Sequence, residues 1–116
     1  MRKKKSEIQK EELKWIVEKW AAQIGVKVRK ISIRRMKRKW ASISTAGYLT
    51  LNTELSDLPK SLCDYVIVHE LLHLMAPNHS KLFKSYLHTY MPDWENREKR
   101  LNKVSDMTMN GVGSGD

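Results

Sequence analysis

The residues best suited to chemistry stand together at His69-Glu70-Leu71-Leu72-His73. On a helix, positions i and i+4 share one face about 6 Å apart along the axis, so both imidazoles can reach one ion. Zinc takes neutral imidazole nitrogen at roughly 2.0–2.1 Å and needs one or two further ligands. Glu70 lies about 100° round the helix from His69, which suits it to a water on the metal rather than to the metal itself. This is the H-E-x-x-H pattern, whose glutamate serves as a general base. A third histidine, His79, follows six residues after His73. A continuous helix would carry it about 9 Å further along and about 240° round. Pro77 and Asn78 supply a break and a turn, so the chain can double back. The spacing predicts one zinc per chain at His69, His73 and His79, with Glu95 or Glu98 as the alternative third ligand. Shuffling this composition produces the five-residue pattern in roughly 1% of sequences and the three-histidine pattern in roughly 0.01%, which makes the pattern specific. His88 falls on a face with Lys81, Lys84 and Ser85 and reads as a surface residue.

These side chains need a scaffold. The helix that carries them is expected from about Lys60 to Met75, beginning near Pro59 and stopping at Pro77. Leu62, Val66, Ile67, Val68, Leu71, Leu72, Leu74 and Met75 make it apolar on most sides, so it should be central and buried. Upstream, Leu13, Ile16, Val17, Trp20, Ala21 and Ile24 repeat at i, i+3, i+4 and predict an amphipathic helix ending at Gly25. The period then changes to two. Val26 to Ile33, Trp40 to Ser44 and Tyr48 to Asn52 read as three short strands, with Thr45-Ala46-Gly47 as a tight hairpin turn. An antiparallel meander, at least in part, is the expected pairing. Ser80 can cap a third helix with Leu82, Phe83, Tyr86, Leu87 and Tyr90 inward. A short fourth helix follows Pro92-Asp93. The expected architecture is α+β: an N-terminal helix, a small three-stranded, mostly antiparallel sheet, an active-site helix and two C-terminal helices. Residues 1–109 form one domain, with 1–5 as a basic lead-in, and 110–116 read as a disordered tail.

The chain has 116 residues, 41% hydrophobic and 30% charged, enough for one compact core. No apolar run approaches the roughly 18 residues of a membrane span, and the basic N-terminus lacks the apolar segment of a signal peptide. Cys63 is the only cysteine, which excludes disulfides and a thiolate zinc cluster. It reads as a buried, inert thiol, and a cytoplasmic setting is expected. The net charge of +9 is uneven. Residues 1–40 hold 15 Lys and Arg against 4 Glu, whereas 41–116 hold 7 against 9 acidic residues. The densest run, Arg34, Arg35, Lys37, Arg38 and Lys39, is either a solvated turn or a contact for nucleic acid or another polyanion.

The residues as a set resemble the YgjP-like metallopeptidase family of the zincin superfamily, related to the SprT-like proteases. The resemblance runs from about Leu13 to Leu101. It rests on Met36 to Ser42, on Gly47 to Asn52, on the core stretch Asp64 to Leu74, and on Asn78-His79-Ser80 followed by Phe83. The core stretch with Asn-His-Ser is the most specific part. Ala41 stands where that family usually has Gly, Ile43 where it often has Cys, and Lys84 where it commonly has Trp. The resemblance implies a minimal zincin-like fold, zinc at His69, His73 and His79, and Glu70 as catalytic base.

The leading expectation is therefore a small zinc peptidase in which a zinc-bound water, activated by Glu70, attacks a peptide or protein substrate's carbonyl. An extended substrate would pair with the strand at 40–44 or at 48–52. Asp64, Asn52 and Asn78 are candidate partners for the histidines' other ring nitrogens. Two alternatives stand beside it: a zinc hydrolase of nucleotide phosphoanhydrides, and a zinc-containing nucleic-acid-binding module that uses the basic half.

Overall fold

The computed structural model describes residues 5–108, so the tail at 110–116 lies outside the described residues. The element order is helix α1 (Lys5–Ile24), strands β1 (Lys30–Arg34), β2 (Ala41–Ile43) and β3 (Tyr48–Asn52), a 3-10 turn (Thr53–Asp57), then helices α2 (Lys60–Leu72), α3 (Lys81–Tyr90) and α4 (Trp94–Thr108). The fold is α+β, as expected.

Helix α2 is the centre. Every residue from Leu62 to Leu72 is buried, and α1, α3, α4 and β2 all pack against it. Its Leu, Val and Ile side chains each contribute about 1.5–3 kcal/mol on burial, which holds its polar members in the core. Pro59 precedes the first turn, and its carbonyl accepts from Leu62 N and Cys63 N. At the other end the α-helix stops at Leu72, earlier than Met75. The next amides, from His73 to Met75, bond three residues back instead of four. This tightened turn keeps His73 one turn beyond His69 and then releases the chain toward Pro77.

The periodic residues of α1 behave as predicted. Leu13, Ile16, Val17, Ala21 and Ile24 are buried, and Trp20 donates from Nε1 to Asp64 Oδ1 at 3.1 Å, tying α1 to α2. Trp15 stays 58% exposed, with the Lys19 ammonium over its ring. Gly25 ends the helix at φ +87, where other residues are strained.

The sheet departs from a meander. Its order is β1-β3-β2, with β1 parallel to β3 and β2 antiparallel to it, so the sheet is mixed. The hairpin between β2 and β3 forms around Thr45-Ala46-Gly47, with Gly47 at φ +89. The preceding segment, 26 to 29, does not join the strand. It runs past the hairpin turn, and Arg29 N donates to Gly47 O at 2.8 Å. The apolar rows Ile31–Leu49–Ile43 and Ile33–Leu51–Ala41 face the core.

Ser80 caps α3, accepting from Phe83 N. Phe83 and Leu87 are buried, but Leu82, expected inward, is 53% exposed. Helix α4 is longer than expected. Leu101 and Ser105 are buried on it, and Ser105 Oγ accepts from Trp40 Nε1 at 2.9 Å. Among the described residues, no helix is long and apolar enough to cross a membrane.

Candidate metal centre

The site is built from the end of α2 and the loop that follows it. His69 and Glu70 are buried, His73 is half-buried, and His79 is exposed on the loop before α3. The break at Pro77 and Asn78 turns the chain back as the spacing required. His79 Nε2 comes to 3.1 Å from His69 Nε2 and 3.2 Å from His73 Nε2. Ligands at about 2.0–2.1 Å in a tetrahedral shell stand roughly 3.3–3.4 Å apart, close to these separations.

The other ring nitrogens say how the three face one another. His73 Nδ1 donates to the Pro77 carbonyl at 3.1 Å. His69 Nδ1 lies 3.1 Å from Glu70 Oε2, and a carboxylate there can only accept. Both Nε2 atoms therefore carry lone pairs that point at His79. A neutral His79 could donate from Nε2 to one of them, not both. A cation among the three satisfies every lone pair at once, so the donor set fits a metal. The position at the C-terminal end of α2, where helix carbonyls accumulate partial negative charge, favours a cation further.

Two supports were not visible in the sequence. The Phe83 ring touches all three imidazoles, with centroids 5.3, 4.8 and 5.0 Å from those of His69, His73 and His79. It forms an apolar wall that limits how far any of them can swing. Tyr65, one turn before His69, has its ring 5.9 Å from that imidazole and donates its hydroxyl to Glu98 Oε2 at 2.9 Å. The i, i+4 spacing of Tyr65 and His69 was the available signal for the second support. Only folding brings α3 and α4 to the site.

The other candidates fall elsewhere. Glu98 serves Tyr65, Glu95 is exposed, and neither joins the histidine cluster. Asp64 accepts from Trp20 and from Lys60 Nζ. His88 is exposed on α3. Cys63 lines a separate cavity of about 150 Å³ with Leu13, Ile16, Leu55 and Leu58. Burial, and then the neighbouring Asp64 carboxylate, pushes its thiol up to about 12. Arg34, Arg35, Lys37, Arg38 and Lys39 are exposed at the end of β1 and on the loop to β2. Asn52, fully buried, holds that loop. Its Nδ2 donates to Met36 O at 3.0 Å and Lys39 O at 2.8 Å, while its Oδ1 accepts from Glu54 N. Asn52 thus organises the basic loop instead of a histidine.

Two solved metallopeptidase structures share this fold. The metallopeptidase zymogen abylysin of Pyrococcus abyssi superimposes with a TM-score of 0.71 at 24% identity, covering 79% of this chain and 93% of its own. The metallopeptidase zymogen jannalysin of Methanocaldococcus jannaschii gives 0.72 at 27% identity, covering 79% and 95%. No curated protein matches the sequence significantly. The class is that of metal-dependent peptidases. Within it, the chain belongs to the YgjP-like metallopeptidase domain family, which matches residues 1–104.

Proposed function

We propose that this peptidase uses zinc, held by Nε2 of His69, His73 and His79, with Glu70 as general base. The observation that carries the reading is the convergence of the three Nε2 atoms, with His79 3.1 and 3.2 Å from the other two. Zinc bound there supplies a Lewis acid that polarises a carbonyl and lowers the pKa of a coordinated water toward about 7. The chain's own residues do the rest. The Pro77 carbonyl and the Glu70 carboxylate hold the Nδ1 protons of His73 and His69, which keeps both Nε2 lone pairs turned inward. Glu70 takes a proton from the attacking water and passes it to the leaving amine nitrogen. An extended peptide adds to β2, because β3 is flanked on both sides and β2 is an edge strand that packs on α2. Family membership supports a peptide bond as the target, and neither phosphoanhydride hydrolysis nor a purely structural zinc is favoured.

The test is native mass spectrometry of the untagged protein offered zinc, with Glu70→Gln beside it and a peptide library as substrate. One zinc per chain in both, with hydrolysis by the wild type alone, is expected. Turnover retained by Glu70→Gln would refute the general-base role, and a wild type that takes no zinc would refute the metal assignment.

A further inference from the structure

The stretch from Lys19 to Thr53 holds nine Lys and Arg and no Asp or Glu. It contains all three strands, so the sheet is built entirely from a segment without negative charge. The strand registers sort its side chains onto two faces. The core-facing rows are apolar. The outer rows pair Ser32 with Thr50 and Thr50 with Ser42, and Lys30 with Tyr48. Small hydroxyls therefore cross the middle of the outer face. Beside them Tyr48 is 51% exposed, with the Arg29 guanidinium over one face of its ring, 6.0 Å from the centroid.

The basic loop belongs to the same face. Arg34 pairs with Asn52 in the next outer row, and Asn52 is buried because the loop closes over it. Its two donations, to Met36 and Lys39, clamp the loop backbone at that end of the sheet. The exposed cations of the loop and those of β1 thus border one face of the sheet, with Tyr48 beside Lys30 at the end away from the loop.

We propose that this outer sheet face is a docking surface for single-stranded nucleic acid, separate from the histidine cluster at the end of α2 and on the loop after it. Phosphates meet Lys30, Arg34 and the loop cations, and a base stacks on the face of Tyr48 opposite Arg29. Single strands bind through this combination of a cationic track and an aromatic platform. A duplex hides its base faces, and a flat three-stranded face does not enter a groove as a helix or two-stranded ribbon does. An anionic bilayer attracts clustered cations, but the outer rows add no apolar side chain besides Tyr48 to insert, and a bilayer leaves the aromatic platform unused.

Fluorescence anisotropy of the full chain with a labelled oligothymidylate of about 20 nucleotides tests this, across a salt series. Engagement of four or five phosphates gives a slope of log K against log salt of about −3 to −3.5. Arg34→Ala with Arg35→Ala flattens the slope by about 1.4. Tyr48→Ala weakens binding about 5- to 160-fold without changing the slope, and Tyr48→Phe restores it. Equal thermal midpoints of the Tyr48 variants keep the comparison free of unfolding. Three results each overturn the proposal: Tyr48→Ala binding as the wild type does, a hairpin duplex binding more tightly than the single strand, or vesicles of phosphatidylserine and phosphatidylcholine displacing the oligonucleotide.

Discussion

Replacing His79 separates metal binding from folding more cleanly than replacing either other histidine. His79 is exposed on a loop, whereas His69 is buried and hydrogen-bonded to Glu70. Without metal, an exposed substitution such as His79→Ala shifts stability by no more than about 0.5 kcal/mol. At about 2.1 cal/mol/K per residue, 116 residues give an unfolding entropy near 0.24 kcal/mol/K, so 1 kcal/mol moves the midpoint by about 4 °C. The metal-free variant should therefore melt within about 2 °C of the wild type. With zinc at about 100 times the wild-type Kd, binding stabilises the fold by about 2.7 kcal/mol, or about 11 °C. Sharing the roughly 10–16 kcal/mol of a four-ligand site gives about 3 kcal/mol per ligand, so losing one weakens binding by about 100-fold. The same zinc concentration then adds only about 0.4 kcal/mol, or about 2 °C. Scanning calorimetry with and without zinc, paired with a calorimetric titration, reads both numbers. An undiminished zinc shift in His79→Ala would show that His79 is not a ligand. A metal-free midpoint lowered by more than about 5 °C would show that its role is structural.

Further outcomes follow from buried groups. Asn52→Ala leaves two loop carbonyls and one amide without their partner, which costs on the order of 3 kcal/mol. It should lower the midpoint by about 12 °C and open the loop around Arg38 to trypsin, and an unchanged digestion rate would contradict the clamp. The Cys63 thiol, pushed up to about 12, should resist a disulfide reagent in the native state at neutral pH and react fully on unfolding, so rapid native labelling would contradict its burial. In the unfolded chain that thiol ionises near its ordinary value of 9.0, while the folded one stays protonated to about 12. The unfolded state thus binds fewer protons between those values, and the thiol's contribution, fully present below about pH 9, is lost as pH rises. Denaturant titrations should show the wild type losing up to about 1.4 kcal/mol per pH unit more than Cys63→Ala across that window, and parallel curves would refute it.

Elements whose signal is local were legible in the sequence. The apolar stripe of α1, the buried character of α2, the Gly47 hairpin and the Ser80 cap all depend on neighbours a few residues apart. So did the histidine pattern, since helix geometry alone puts His69 and His73 on one face and Pro77 breaks the helix before His79. The strand order was not legible. Short alternating strands specify which side chains face inward, but that β1 pairs with β3, and in parallel, is set by contacts between segments distant in the chain. Leu82 was misplaced because periodicity ranks the faces of a helix without saying how wide the covered stripe will be.

By itself the sequence determined the three histidines, their spacing, and the concentration of positive charge in the first 40 residues, because these depend on residue identity and backbone periodicity. Only the tertiary structure decided that the three Nε2 atoms meet within hydrogen-bonding distance of His79, and that Phe83 walls them in. It also decided that Asn52 serves the basic loop, not a histidine. Each of these depends on contacts between segments far apart in the chain, and core packing, not local preference, sets their distances.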